Sequence, residues 1–156
     1  MQAQTEALTE VLNDLVKINN DRIAGYERAI TETKDLDTDL KTVFNEMISE
    51  SREFKSELMD KISGLGGESS TDTTLSGKVY RAWMDVKASF SGSSRLAILE
   101  NCEFGEDAWR RAYESALASD AEMSADIRQT ITNQYNKEQT AHDLIKKYRN
   151  AQSAMN

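Results

Sequence analysis

The sequence predicts an all-α fold, an antiparallel four-helix bundle with one long connection. Three observations carry that expectation. Four stretches of about 25 residues repeat apolar side chains at three- and four-residue steps, which gathers them on one helical face. The 156 residues include no proline and only seven glycines, so nothing inside those stretches forces a break. Two connections are tight and a third spans about 30 residues, enough to return along the whole length of a bundle.

The first helix is expected from about Thr5 to Thr33, with Leu8, Leu12, Leu15, Ile23, Tyr26 and Ile30 on its stripe. Asp35-Leu36-Asp37-Thr38 reads as a turn and N-cap, because such side chains can accept hydrogen bonds from free helical amides. The second helix then runs to about Ser63 on Leu40, Val43, Phe44, Met47, Phe54, Leu58 and Ile62. Gly64-Leu65-Gly66-Gly67 stops it, since glycine takes the left-handed cap conformation readily. A polar loop from Glu68 to Thr74 leads into a short helix, Ser76 to Phe90, with Val79, Trp83, Val86 and Phe90 in register. Ser91-Gly92-Ser93-Ser94 interrupts the chain again. The third long helix is expected from about Ser94 to Ala118 on Leu99, Cys102, Trp109, Tyr113 and Leu117. The fourth is expected from about Ser119 to Arg149 on Met123, Ile127, Ile131, Ile145 and Tyr148, with a frayed tail from Asn150 to Asn156.

Connection lengths give the topology. The first and second helices are antiparallel neighbours, as are the third and fourth, and the crossover between the pairs carries the short extra helix. A bundle with two long crossovers fits poorly, and a simple up-down bundle carrying a large insertion is the alternative topology. All 156 residues form one domain, long enough to bury a core without disulfides or metal staples.

The net charge of -8 repels phosphates and anionic lipid, which argues against nucleic acid and membrane as partners. The single Cys102 excludes an internal disulfide and reads as a small buried apolar residue. No apolar run approaches membrane-spanning length, and MQAQTEALTE lacks the apolar centre of a signal peptide. The cytoplasm is the expected compartment.

Function points to acids placed where core is expected. At 100° per residue, Glu27 falls near the first stripe, between the directions of Ile23 and Ile30. Glu106 lies almost at the centre of the third stripe, with Glu103 to one side. Glu138 lies near the centre of the fourth, with His142, the only histidine, on its flank. On the second helix Ser51 is central, Glu50 is at the edge and Glu53 faces solvent. Counted from the shared bundle end, Glu27, Glu103, Glu106, Glu138 and His142 fall within a slab of roughly 6 Å at 1.5 Å rise per residue.

Burying carboxylates is costly unless something pairs with them, so the acids form either a metal site or a polar network. Di-iron carboxylate centres in four-helix bundles take one Glu from each of two helices and a Glu-x-x-His from each of the other two. Here Glu27, Glu103, Glu106, Glu138 and His142 are the candidate metal ligands, with Glu50 as the nearest substitute on the second helix. One histidine cannot complete a two-histidine site, and Glu138 and His142 are four residues apart, a spacing that still keeps both on one face. Iron, manganese and zinc all suit such a donor set.

INNDRIAGYERAI (18–30), SGKVYRAWMDVKASF (76–90), ENCEFGEDAWRRAYESAL (100–117) and TAHDLIKKY (140–148) together resemble an uncharacterised bacterial family of ferritin-like four-helix proteins, a domain of unknown function. The resemblance covers nearly the whole chain. Its most specific part, Glu103-x-x-Glu106 followed by Tyr113, also looks like the paired acids on one helix of rubrerythrin-type di-iron proteins. It implies a ferritin-like antiparallel four-helix bundle with one long crossover, and ligand-type positions at Glu27, Glu103, Glu106, Glu138 and His142. It implies no established activity. Any reaction would be metal-dependent redox chemistry, and the lack of a Glu-x-x-His on the second helix weighs against it.

The alternative reading is a core network without metal, in which Arg22, Arg110, Tyr26, Tyr113 and Tyr135 pair with the acids. Such a protein would act by structure or interaction. A second copy of the chain is the partner class in view, through the face covered by the 76–90 helix, with Trp83 and Phe90 at the contact. No Ser-His-acid or Cys-His arrangement can be argued, so hydrolysis has little support.

Overall fold

The computed structural model describes residues 2–70 and 94–155. Four helices account for nearly all of them: α1 (Gln2–Glu32), α2 (Thr38–Gly64), α3 (Arg95–Leu117) and α4 (Ala125–Met155). The expected helix over 76–90, with Trp83 and Phe90, lies outside the described residues. The long connection between α2 and α3 is where connection lengths placed it.

Cross-helix contacts fix the directions. Tyr26 of α1 packs on Phe44 of α2, while Asn13 holds Glu68 beyond the far end of α2, so α1 and α2 run antiparallel. Glu103 meets Arg149 and Tyr113 meets Gln134, which makes α3 and α4 antiparallel. Arg95, at the start of α3, bonds Asp39 at the start of α2 and lies over Tyr148 near the end of α4. Each helix therefore packs against two antiparallel neighbours, with α1 opposite α4 and α2 opposite α3. This is the ferritin-like all-α bundle.

Local chemistry explains the boundaries. Gly66 takes φ 79°, the left-handed region, and Gly67 N–H closes onto Ile62 C=O. A Cβ at Gly67 would stand 2.7 Å from Thr9 Cγ2, so this turn seats against α1 only with glycine there. Asp37 is the N-cap of α2 yet makes no side-chain cap bond; its carboxylate lies 3.5 Å from Arg95 instead. Two boundary expectations fail. The fourth helix begins at Ala125 and not near Ser119, because the Ser124 hydroxyl accepts from Ile127 N–H as its cap. It also continues to Met155, so the tail is helical rather than frayed; the segment has no proline or glycine to end it.

The interior is divided. One apolar cluster gathers Leu8, Leu12, Leu15, Leu58, Trp109 and Ile131 with their neighbours. A second gathers Tyr26, Phe44, Ile98, Leu99, Cys102 and Ile145 with theirs. Between the two lie Asn19, Arg22, Ser51, Glu106, Gln134 and Glu138, each buried although polar or charged. Among the described residues no helix is long and apolar enough to cross a membrane.

Candidate functional site

Arg22 is the hub of the polar layer. Its position on α1 follows the stripe one turn before Tyr26, so helical periodicity carries the guanidinium into the interior. Nε donates to Glu106 Oε1 at 2.7 Å. Nη1 donates to Ser51 Oγ at 3.0 Å and also approaches Glu50 Oε1 to 3.0 Å. Nη2 reaches Met47 Sδ at 3.6 Å. The guanidinium also lies between two rings, 5.8 Å from the Tyr26 centroid and 5.7 Å from that of Trp109. Burial opposes its charge, but Glu106, Tyr26 and Glu50 together raise its pKa and keep it protonated.

From Arg22 a chain of hydrogen bonds crosses all four helices. Ser51 Oγ donates to Asn19 Oδ1 at 2.9 Å, and Trp109 Nε1 donates to the same oxygen at 3.0 Å. Asn19 Nδ2 donates to Leu15 C=O and to Tyr113 Oη, both at 2.9 Å. Tyr113 in turn donates to Gln134 Oε1 at 2.6 Å, and Gln134 Nε2 donates to Phe54 C=O and Glu57. Trp109 and Tyr113 stack with centroids 3.8 Å apart, one turn apart on α3. Nearly every polar group in this chain is used, which is what a dry interior requires.

Glu106 and Glu138 are fully buried and face one another. Each has one oxygen held by a guanidinium. Glu106 Oε1 takes Arg22 and the Tyr26 hydroxyl, the latter at 2.8 Å. Glu138 Oε1 takes Arg110 Nη1 at 2.6 Å, and Arg110 stacks on Tyr135 at 4.2 Å. The other oxygen of each, Oε2, is buried without a conventional donor. Burial alone would raise Glu106, but Arg22, with hydrogen bonds from Glu138, Arg22 and Tyr26, brings it below the ordinary carboxylate range. Glu138 moves the other way, pushed up by burial first and then by Glu106. Opposite shifts on touching carboxyls mean that the pair holds one proton. Glu138 carries it and donates to Glu106.

The sequence-predicted ligands thus separate into two groups. Glu106 and Glu138 meet, and Glu50 joins them from α2 through Arg22, its carboxyl raised by partial burial. Glu27 does not. It is 56% exposed on the outer face and lies 3.7 Å from Arg52. At 100° per residue it falls about 40° outside Ile23 and not between Ile23 and Ile30, and the α1–α2 packing leaves that edge in solvent. Glu103 is turned to the α3–α4 seam, where Arg149 Nε donates to it at 3.0 Å. His142 Nε2 pairs with Asp107 Oδ1 at 2.8 Å on the same seam, and Nδ1 is buried without a hydrogen bond. Of the expected network, Arg22, Arg110, Tyr26 and Tyr113 all take part. Tyr135 contributes by stacking under Arg110, and its hydroxyl donates outward to Glu114.

The donor set does not fit a di-iron centre. Glu27 is out of reach, Glu103 and His142 are engaged elsewhere, and a permanent cation already lies among the remaining carboxylates. Among the described residues no three of His, Cys, Asp and Glu are arranged to hold a metal ion. Nor does the layer present a nucleophile with an adjacent base. What the arrangement does chemically is neutralise its own charges in a closed interior.

Comparison with known proteins agrees with the fold. A ferritin-like, diiron-carboxylate protein from Bacillus anthracis str. Ames superposes with a TM-score of 0.74 over 96% of this chain and 99% of that one, at 19% identity. At that identity the likeness is one of fold. No curated protein matches the sequence. The profile of the family described as Domain of unknown function (DUF2383) matches residues 7–119, most of the chain, and the protein belongs to that family.

Proposed function

We propose that this chain is a metal-independent member of the ferritin-like bundles, a structural or interaction protein whose buried acids form a hydrogen-bonded ion network. The observation that carries this reading is Arg22. Its guanidinium lies 2.7 Å from Glu106 and 3.0 Å from Glu50, where a cation bridging those carboxylates would have to bind. Arginine does not deprotonate in proteins, so the positive charge there is permanent. A metal ion would meet like charge as well as a lack of free ligands.

The diiron-carboxylate relative supports the opposite expectation for this fold, that iron, manganese or zinc binds in the centre. What favours it here is narrower, namely one buried oxygen on each of Glu50, Glu106 and Glu138 that accepts no well-aligned hydrogen bond from nitrogen, although Glu50 Oε1 lies 3.0 Å from Arg22 Nη1. Those oxygens are compatible with a shared proton and nearby arginine charges, and the network reading accounts for more of the contacts.

The test is a metal analysis of the full chain purified without chelator, joined to melting curves with added Fe²⁺, Mn²⁺ or Zn²⁺. Substoichiometric metal and a melting temperature insensitive to all three ions are expected. One or two ions per chain, with melting that falls on chelation, would overturn the proposal.

A further inference from the structure

We infer that α4 is a releasable strap, a helix that lifts from the bundle as a unit while α1, α2 and α3 stay folded together. What holds it is largely polar and lies on two sides only. Helix α1 stands opposite, so among the described helices α4 has α2 and α3 alone to pack against.

The seam with α3 is a ladder of side-chain rungs. Glu103, Asp107, Arg110 and Glu114 follow one another at steps of four, three and four residues, which keeps them on one face of α3. Each meets a partner on α4 in descending order, Arg149, His142, Glu138 and Tyr135, as antiparallel helices require. Only the Arg110–Glu138 rung is sheltered. Asp107 is 47% exposed and Arg149 32%, and the Tyr135–Glu114 bond is exposed as well. Such contacts hold a helix weakly, because water replaces them when they open.

The apolar grip is short. Gln134 and Glu138 occupy the middle of the buried face of α4, leaving Ile127, Ile131, Ala141 and Ile145 to either side. On α2, by contrast, Ser51 is the only polar member of the buried face. Hydrophobic stabilisation scales with the apolar area covered, so α4 is held by less of it. Toward α2 the packing is looser still. Gln134 Nε2 reaches Phe54 C=O and Glu57 at 3.1 and 2.9 Å. Beyond it a groove of about 550 Å³ opens between the two helices, lined by Asn45, Glu46, Ser49 and Glu53 on one side and Lys137 on the other.

Residues 118–124, which join α3 to α4, are the hinge. Release hydrates Glu138 and Gln134, whose burial is costly, and so recovers part of what the lost contacts cost. It leaves the ties among the other three helices in place. Tyr26 still packs on Phe44, and Asn19 still accepts from Ser51 and Trp109. The face of α2 and α3 that α4 covers, Phe54 included, becomes available to a partner only in the released state.

Native-state hydrogen exchange on the full chain, followed residue by residue by NMR over a series of low urea concentrations, tests this. Interior amides of α4, from Ile131 to Ile145, should exchange at least about tenfold faster than those of Leu15 in α1 and Leu58 in α2. Their exchange should also depend less on urea, because release exposes less surface than global unfolding. Rates matching those of α1 and α2, or a urea dependence as steep as theirs, would mean that all four helices open together and would overturn the inference.

Discussion

Glu106 and Glu138 meet at the centre of the bundle as a carboxylate and a carboxylic acid, each clamped on its far oxygen by a different arginine. With Arg22 and Arg110 positive and Glu138 neutral, ionised Glu50 and Glu106 balance the charge of the layer. The geometry accounts for why two acids can share a dry interior, and it makes the consequences of disturbing either one different.

Glu106→Ala should be among the most damaging substitutions in the chain. It leaves the Arg22 charge buried and the Tyr26 hydroxyl without its acceptor. Removing one partner of a buried ion pair costs about 3–5 kcal/mol. Urea denaturation would measure this; a loss below about 1 kcal/mol would mean that the pair is solvated in solution.

Stability should also depend on pH through Glu138. Its unfolded carboxyl titrates near 4.5 and its folded one higher, so folding takes up a proton. The contribution is complete below 4.5 and drains away as pH rises toward the folded value. Glu106 has the opposite sign, stabilising above 4.5 and losing its contribution as pH falls through its lowered value. Between about pH 5 and pH 9 the Glu138 effect dominates, with a slope of at most about 1.4 kcal/mol per pH unit. Urea midpoints across that range should decline for wild type and flatten for Glu138→Gln. An unchanged slope in the variant would place the proton elsewhere.

Asn19→Ala should cost about 1–3 kcal/mol, because Ser51 and Trp109 Nε1 both lose their acceptor in a buried layer. Trp109 emission reports the change directly, since its indole N–H bonds Asn19. An unaltered spectrum would contradict the hydrogen bond.

Glu27→Ala should be close to silent, within about 0.5 kcal/mol, as expected of an exposed side chain with one loose ion pair. Thermal or urea melting of the variant checks it. A large loss would put Glu27 in the interior and contradict the rotation of α1 that turns this residue to solvent.

Much of the molecule is legible in the sequence. The stripes on all four long helices, the tight links and the long return are enough for the bundle and its direction, because they depend on periodicity and chain length. Glu106 and Glu138 are found for the same reason, since each lies near the centre of its stripe. Glu27 fails because its calculated direction lies near an edge, and which edge a neighbour covers is a property of packing. His142 and Glu103 fail similarly, being flank residues that find partners on the α3–α4 seam. The hub itself leaves a subtler signal. The first helix has no inward apolar side chain between Ile18 and Ile23, where Asn19 and Arg22 are buried instead. Such a break in an apolar face marks a polar layer as an intruding acid does. Ile131 and Ile145 leave a similar gap around Gln134 and Glu138.

The divided interior carries a consequence for how damage spreads. Leu58 and Leu99 belong to separate oily compartments, and the hydrogen-bonded partition between them cannot bulge into a void without losing bonds. Shortening either side chain therefore leaves a hole that its own compartment must absorb alone. The two losses should simply sum, and a chain weakened at one end should keep the packing of the other.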